Sequence, residues 1–277
     1  MTNILRIHIR KLIKLLSRNL GYELIKVSKL DKLLISSNTD DTLKRWTSSK
    51  VNPNLNYFVL HNFARHGTQA QLQQDLVALY VSLNNKHSSK YFVEIGAYDG
   101  VIYSNSYTLE KHFGFKGILC EPLKSCQQSL KQNRTAKIDS RCTWSESGLV
   151  LDFSERSSRE YSGLSLLGDM SVASENSEFS CYEVDTVSLM DLLQCHNAPR
   201  NISYLSIDTE GSEWEIIKNF NFYKYEFDFI SIEHNFRSDG DLIDKKLSSN
   251  GYTKVLADVS DFDYWYIRSN LVHILEI

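Results

Sequence analysis

The sequence predicts a doubly wound α/β fold, in which a mostly parallel sheet carries helices on both faces. Three segments support this prediction, at residues 91–100, 117–122 and 202–208. Each contains a short apolar run typical of a buried strand, and the three runs end at a glycine turn or at an acidic residue. Because ligands bind at the carboxyl ends of strands in such sheets, these three strand ends mark the expected site.

The first segment has the sequence Tyr-Phe-Val-Glu-Ile-Gly-Ala-Tyr-Asp-Gly. Its β-forming residues predict a strand, and Gly96 and Gly100 then permit a tight turn and the close approach of a ligand to the backbone. Residues 103–113 indicate a helix. A strand, a glycine turn and a helix in this order form the ligand-binding corner of a doubly wound sheet.

The charge around this corner indicates what it binds. The glycines are spaced G-x-x-x-G, and neither the dinucleotide pattern G-x-G-x-x-G nor a P-loop is present. Glu94 and Asp99 flank the turn instead, and two carboxylates would repel a phosphate and attract a cationic or zwitterionic ligand. S-adenosylmethionine fits, since it has an ammonium, a sulfonium and no phosphate. The alternative is that both acids only cap the turn and the following helix.

The second segment ends in Glu121, which lies 25 residues after Gly96. An acid at this strand end accepts hydrogen bonds from ribose hydroxyls in such folds. Pro122 ends the strand and suits the first turn of a helix. An ordinary exposed glutamate is the alternative.

The composition sets the broad class. The chain has 277 residues, of which 42% are hydrophobic and 23% charged, and this is typical of a globular protein. A formal net charge of −3 gives no case for binding nucleic acid. Five cysteines without C-x-x-C spacing indicate reduced thiols in a cytoplasmic protein.

Residues 1–32 differ from the rest, with eight basic and two acidic residues and apolar residues at helical spacing. They predict a basic amphipathic helix. Charges interrupt every apolar run, so neither a transmembrane span nor a signal peptide is predicted. One interpretation is peripheral contact with the inner membrane surface; the other is a helix packed on the domain with its basic face in water.

The remaining elements follow from periodicity and turn signals. Residues 33–89 predict a helical N-terminal extension, and residues 90–277 the main domain. The loop at 154–180 is long enough for a lid or substrate loop. The other predicted elements are helices at 69–83, 186–194 and 239–249, strands at 135–143, 148–153 and 227–232, and closing antiparallel strands at 252–257 and 264–267.

Acidic residues also end two later strands. Asp208-Thr209-Glu210-Gly211-Ser212-Glu213 follows the strand at 202–208, and Glu233-His234-Asn235 follows the strand at 227–232. Parallel strands end at the same edge of a sheet, so these acids are expected where chemistry takes place.

Taken in order, these motifs resemble the FkbM-type S-adenosylmethionine-dependent methyltransferases, especially the bacterial branch found among glycan and surface-polysaccharide enzymes. The resemblance runs from about Ala70 to the C-terminus. The matching pieces are Gln71-x-x-Gln74-Asp75, Phe92 to Gly100, Ser104-Asn105, Leu109-Glu110, Gly117 to Pro122, Asn133-Arg134, Asp208 to Glu213 and Ser231 to Asn235. Ala70 departs from the family, which commonly has serine there, and a hydroxyl contact is then missing.

The resemblance implies a Rossmann-like class I methyltransferase fold with a seven-stranded, mostly parallel sheet. It also implies that the polar helix of Gln71 and Gln74 forms a wall of the cofactor site. The expected S-adenosylmethionine-binding residues are Gln71, Glu94, Gly96, Ala97, Tyr98, Asp99, Gly100, Ser104, Asn105, Glu121 and Pro122.

The implied reaction is in-line transfer of a methyl group from a sulfonium to an oxygen, for which the protein supplies alignment and a base. The candidate catalytic residues are Asp208, Glu210, Glu233 and His234. His234 has the intrinsic pKa best suited to a base at neutral pH, although a histidine at a strand end also serves as a structural residue. Asp208 and Glu233 are alternatively ligands for Mg or Mn, which would acidify a sugar hydroxyl.

We therefore expect a cytoplasmic O-methyltransferase that acts on a sugar hydroxyl of a bacterial surface glycan or glycan precursor. Other acceptors, such as a phosphate or a small molecule, stay open. A non-catalytic membrane-associated scaffold is a second hypothesis, motivated by the basic helix at 1–32. A nucleotide-dependent oxidoreductase is disfavoured by Asp99 in the turn.

Overall fold

A computed structural model describes residues 41–156, 162–165 and 179–276 of the chain. The predicted basic helix at 1–32 and most of the predicted loop at 154–180 lie outside these residues, so membrane contact and a substrate loop stay predictions. Within the described ranges, no helix has both the length and the apolar character needed to cross a membrane.

A seven-stranded sheet forms the centre of the fold, as predicted. Its strands are β1 (Tyr91–Ile95), β2 (Lys116–Cys120), β3 (Lys137–Asp139), β8 (Asn201–Ile207), β9 (Glu226–Glu233), β10 (Tyr252–Val255) and β11 (Asp263–Arg268). They are arranged in the order β10-β11-β9-β8-β1-β2-β3. The pairs from β3 to β9 are parallel, whereas β11 runs antiparallel to both of its neighbours.

The central strands are apolar on both faces, which is why they form a buried parallel sheet. Alternate residues point to opposite sides: Phe92 and Tyr204 belong to one hydrophobic cluster, and Val93 and Leu205 belong to another. β8 is buried at every position after Asn201.

Helices cover both faces. They are α1 (Asp41–Ser48), α2 (Pro53–His66), α3 (Gln74–Asn84), α4 (Tyr107–Phe113), α5 (Gln127–Asn133), α6 (Leu189–Cys195), α7 (Glu213–Lys218), α8 (Gly240–Ser248), α9 (Ala257–Ser260) and α10 (His273–Glu276). The first three contribute to the same core cluster as β1, with the Trp46 ring stacked 6.4 Å from that of Trp265. The described part of the N-terminal extension therefore packs directly on the sheet.

A second, smaller sheet was not predicted. Its strands are β4 (Cys142–Trp144), β5 (Val150–Arg156), β6 (Gly163–Leu164) and β7 (Phe179–Ser188), in the order β4-β7-β5-β6. The single strand predicted at 135–143 is wrong, because β3 joins the central sheet and β4 joins the second one. The helix predicted from residue 186 begins only at Leu189, since β7 continues to Ser188, whose side chain caps α6.

Two predicted helices begin later than expected. The helix predicted from residue 69 begins at Gln74, after Gln73 in the left-handed conformation. The helix predicted from residue 103 begins at Tyr107. In the second case residues 104–106 are held as a loop by side chains that belong to the site described next.

Candidate active site

A cavity of about 290 Å³ lies at the carboxyl edge of the central sheet. β1 and β8 are adjacent there, and the strand order reverses between them. This is the position at which doubly wound sheets bind ligands. The ends of four strands contribute Ile95, Gly96, Cys120, Glu121, Asp208 and Glu233 to the lining.

Gly96 is required by the close approach of the β1 and β8 ends. Its φ of +85° lies in the left-handed region, and a Cβ atom would lie 1.7 Å from the carbonyl oxygen of Asp208. The Asp208 amide donates to the Ile95 carbonyl at 3.0 Å. No side chain fits at this position, so the glycine is explained by contact between two strand ends as well as by a ligand.

Glu94 points away from the cavity and stabilises the loop after the turn. Its carboxylate accepts hydrogen bonds from the Ser104 hydroxyl at 3.0 Å, the Asn105 amide at 2.6 Å and the Ser106 hydroxyl. Burial raises the pKa of Glu94, and the Arg134 guanidinium, 3.7 Å away, opposes that effect. These hydrogen bonds hold the loop at residues 104–106 in place. None of Glu94, Ser104 and Asn105 is among the residues that line the cavity.

Arg134 links this network to the glycine turn. Its buried guanidinium donates to the Gly100 carbonyl at 3.0 Å, the Ser104 hydroxyl at 2.9 Å and the Glu110 carboxylate at 2.8 Å. Gly100 has a φ of +79°, and a Cβ there would lie 2.6 Å from the Arg134 side chain. Gly100 is thus needed for the packing of Arg134.

Asp99 caps the turn, as the alternative interpretation proposed. Its Oδ1 accepts hydrogen bonds from the Val101 and Ile102 amides, both at 2.8 Å. Neither Asp99 nor Ala97 is among the residues that line the cavity, whereas Tyr98 is. The expected attraction of a cation by Glu94 and Asp99 is therefore corrected: both carboxylates are engaged within the turn.

Glu121 lines the cavity at the end of β2, beside Pro122. Its two oxygens accept hydrogen bonds from the Tyr98 amide at 2.7 Å and the Leu123 amide at 2.8 Å. Burial raises the pKa of this carboxyl to about 7, while both amides lower it. Each carboxylate oxygen can accept a further hydrogen bond, so Glu121 is built to receive hydroxyl donors from the cavity.

Three carboxylates meet on the opposite side of the cavity. Asp208, Glu210 and Glu233 each place an oxygen within 4.8 Å of the others. Burial, followed by the charge of Asp208, raises the pKa of Glu210 to about 8. Burial also raises the pKa of both Asp208 and Glu233, and the charge of Asp208 raises that of Glu233 further. We refer to these three residues as the acid cluster.

Glu213, the fourth acid of this region, is structural. Its Oε1 accepts hydrogen bonds from the Thr209 and Gly211 amides, both at 3.0 Å. Gly211 has a φ of +121°, and the Arg237 guanidinium lies where its Cβ would be. Glu213 thereby fixes the loop that presents Asp208 and Glu210 to the cavity.

His234 has a structural environment, which corrects its expected role as the base. Its ring stacks on Tyr264 with centroids 3.8 Å apart, and its Nδ1 accepts a hydrogen bond from the Phe236 amide at 3.0 Å. Burial lowers its pKa, and the ring is not among the lining groups. His234 positions the loop after β9.

Gln71 lines the cavity, but Gln74 does not. The Gln74 side chain accepts a hydrogen bond from the Leu72 amide at 2.9 Å and donates to Asp263 at 3.3 Å. Gln74 thus fixes the turn that presents Gln71. The implied wall is a turn before α3 and not a helix face.

The second sheet and nearby loops contribute lining residues that the sequence did not indicate. They are Cys142, Thr143, Phe153, Leu164, Phe262, Ile102 and Tyr103. In the sequence of β7, Tyr182, Val184 and Thr186 alternate with the acids Glu183 and Asp185, and this alternation could have predicted the strand. In the structure Val184 and Thr186 are buried. No local pattern points to Phe262.

The fold and the cavity define a doubly wound α/β protein with an acidic ligand site at the point where strand order reverses. The sequence model of the methyltransferase FkbM domain matches residues 94–254, which is more than half of the chain. The chain therefore belongs to the FkbM methyltransferase family, and the resemblance is confirmed.

The solved structures that are similar to the chain include the crystal structure of methyltransferase FkbM from Methylobacillus flagellatus KT. The identity is 15% and the TM-score 0.43, over 86% of this chain and 60% of that protein. The chain thus spans less than two thirds of the length of that protein. No curated protein matches the chain.

Proposed function

We propose that the protein is an S-adenosylmethionine-dependent methyltransferase that methylates a sugar hydroxyl of a bacterial surface glycan or glycan precursor. Family membership supports the methyl-transfer chemistry. The choice of S-adenosylmethionine as the ligand rests on one observation. Among the described residues that line the cavity, four are acidic and none is lysine, arginine or histidine.

This charge pattern favours a cationic methyl donor over a dinucleotide. The four acids are Glu121, Asp208, Glu210 and Glu233. Burial raises the pKa values of these carboxyls, and a sulfonium or ammonium in the cavity would favour their ionised forms. A pyrophosphate would be repelled by every carboxyl that is ionised. The prediction of a cationic ligand is thus supported by different acids from those that motivated it, since Glu94 and Asp99 are engaged in the turn.

The β1–β2 side of the cavity suits the cofactor. Glu121 is oriented by two backbone amides and would accept hydrogen bonds from ribose hydroxyls. Gly96, Tyr98, Pro122 and Gln71 form the adjoining wall. When bound, S-adenosylmethionine supplies a methyl group on a good leaving group, so the protein contributes orientation and proton removal.

The acid cluster suits the acceptor. A hydroxyl that attacks a methyl group must lose its proton, and a carboxylate with a raised pKa is a more effective base near neutral pH. Burial raises the pKa of Asp208 and raises that of Glu210 to about 8, so both carboxyls approach this range. We therefore assign proton removal to the acid cluster rather than to His234.

The same three residues fit a divalent metal. Mg and Mn bind carboxylate oxygens, and three such oxygens lie within 4.8 Å of one another. Asp208, Glu210 and Glu233 would hold the ion, which would lower the pKa of an acceptor hydroxyl. Thermal unfolding with Mn and with EDTA tests this role. Stabilisation by Mn that persists in Asp208→Asn would count against it.

Isothermal titration calorimetry tests the cofactor assignment. We expect the wild-type protein to bind S-adenosylmethionine and its demethylated product, and to bind NAD at least tenfold more weakly because of the acidic lining. An absence of heat with either sulfur ligand, from protein that unfolds cooperatively, would contradict the proposal. Tighter binding of NAD than of S-adenosylmethionine would instead favour a nucleotide-dependent oxidoreductase.

A further inference from the structure

The rim of the cavity carries large apolar side chains that are exposed to solvent. Ile102 and Tyr103 line the cavity with exposed fractions of 46% and 51%, and Phe236 follows the lining residue Asn235 with 76% exposed. Exposed apolar residues grouped at the entrance of a cavity mark a binding surface more often than scattered ones do.

The backbone holds two of these aromatic residues in an unfavourable conformation. Tyr103 and Phe236 both have a φ of +57°, in the left-handed region that bulky residues rarely adopt. Neighbouring contacts compensate: Ser104 is bonded to Glu94, and the Phe236 amide donates to His234. Strain kept in place by surrounding structure is typical of functional positions.

The two aromatic residues belong to loops that follow strands on either side of β8. Tyr103 belongs to the loop after β1, and Phe236 belongs to the loop after β9. β8, which leads into Asp208 and Glu210, lies between those two strands. The strands that lead into these two loops are two strand spacings apart, or roughly 10 Å, a separation comparable to the width of one sugar ring with its contacts.

We propose that Tyr103 and Phe236 bind the acceptor as a pyranose sugar, a refinement that rests on the proposed function. A pyranose has apolar C–H faces and a hydroxyl edge. Its faces would contact the two aromatic rings, and its hydroxyls would donate to Glu210 and Glu233. A phosphate would meet the acid cluster unfavourably, and a purely aromatic acceptor would leave these carboxylates without donors.

Saturation-transfer NMR on the full chain tests this assignment. The probes are methyl α-D-glucopyranoside, methyl α-D-mannopyranoside and methyl α-L-rhamnopyranoside, each in the presence of the demethylated cofactor product. We expect saturation transfer to the ring C–H protons of at least one probe. In Tyr103→Ala and Phe236→Ala the signal should fall at least threefold, with the affinity for the cofactor product unchanged within twofold.

Tyr223 provides the matched control. It is 84% exposed and precedes β9, at the opposite edge of the sheet. Tyr223→Ala should leave the signal unchanged. Absence of transfer from wild type to every probe while the cofactor product binds, or equal signals in wild type and Phe236→Ala, would overturn the sugar assignment alone. Failure of wild type to bind the cofactor product would instead contradict the proposed function.

Discussion

The carboxylates on the two sides of the cavity have different environments. Near β1 and β2, Glu94 and Glu121 accept hydrogen bonds from backbone amides and hydroxyls, and Arg134 lies beside Glu94. Near β8 and β9, the acid cluster brings three carboxylate oxygens within 4.8 Å of one another. Burial raises the pKa of all three groups, and the charge of Asp208 raises the pKa of Glu210 and of Glu233 further. The first arrangement is suited to rigid binding. The second retains unfavourable electrostatics, which is typical of positions that perform chemistry.

The largest effect is expected where the two sides meet. Gly96→Ala would place a Cβ atom 1.7 Å from the Asp208 carbonyl oxygen, in a left-handed conformation. We expect a loss of more than about 4 kcal/mol in the free energy of unfolding, measured by urea denaturation. Gly114→Ala is the control, since Gly114 has a φ of +70° but no atom within 4 Å of the added Cβ. Gly114→Ala should lower the free energy of unfolding by about 1 kcal/mol. Equal losses of stability in the two variants would contradict a clash at Gly96.

The next effect tests the hydrogen-bonded side. Arg134→Met leaves Glu94 and Glu110 buried without their guanidinium partner. Breaking a buried ion pair costs about 3–5 kcal/mol. Arg200→Met is the matched control, because the Arg200 side chain is 72% exposed and pairs with Glu226 at 3.4 Å. It should change the free energy of unfolding by less than about 0.5 kcal/mol. A tolerated Arg134→Met would show that the network does not stabilise the turn.

A third effect concerns the pH dependence of cofactor binding. The pKa of Glu121 is raised to about 7, so the carboxylate gains a proton as pH falls through 7 and loses an acceptor for ribose hydroxyls. We expect calorimetry to show weaker binding of S-adenosylmethionine at pH 6 than at pH 8, by up to about tenfold. Glu121→Gln should bind weakly at both values. Equal pH dependence in wild type and this variant would assign the titration to another group.

The smallest expected effect is a change in stability on removing a charge from the acid cluster. In the presence of EDTA at pH 9, Glu210, with a pKa of about 8, is ionised beside Asp208. Asp208→Asn then removes one of two repelling charges and should raise stability by about 1 kcal/mol, or roughly 2–4 °C in Tm. Asp139→Asn is the contrasting control. Arg141 and His196 contact Asp139, and these hydrogen bonds lower its pKa despite burial. That substitution should lower Tm. A lowered Tm in both variants would contradict repulsion within the acid cluster.

The sequence predicted the site to the extent that local pattern determines it. The strand of β1, the need for Gly96 and the lining position of Glu121 follow from apolar runs, glycine spacing and strand ends. The direction of the Glu94 carboxylate could not be predicted, because it depends on Arg134, 40 residues further along the chain. The orientation of the His234 ring could not be predicted either, because the ring stacks on Tyr264, which belongs to the antiparallel strand β11.

The upper wall of the site shows the same limit. Phe153 and Leu164 reach the cavity only because β5 pairs with the nearby β6 and with β7, which begins more than 20 residues after β5 ends. The strand at 135–143 was predicted as one element, and no glycine or proline within these residues divides them into two strands. Whether its two halves join the same sheet is decided by the available neighbours, which no local pattern records.

The most direct test of the division between a binding side and a chemical side is calorimetry with S-adenosylmethionine on two variants at pH 8. Glu121→Ala should weaken binding at least tenfold, because the hydrogen-bond acceptor at the end of β2 is lost. Asp208→Asn should bind within threefold of wild type, because its carboxylate belongs to the side assigned to the acceptor. Loss of binding in Asp208→Asn together with full binding in Glu121→Ala would contradict the account.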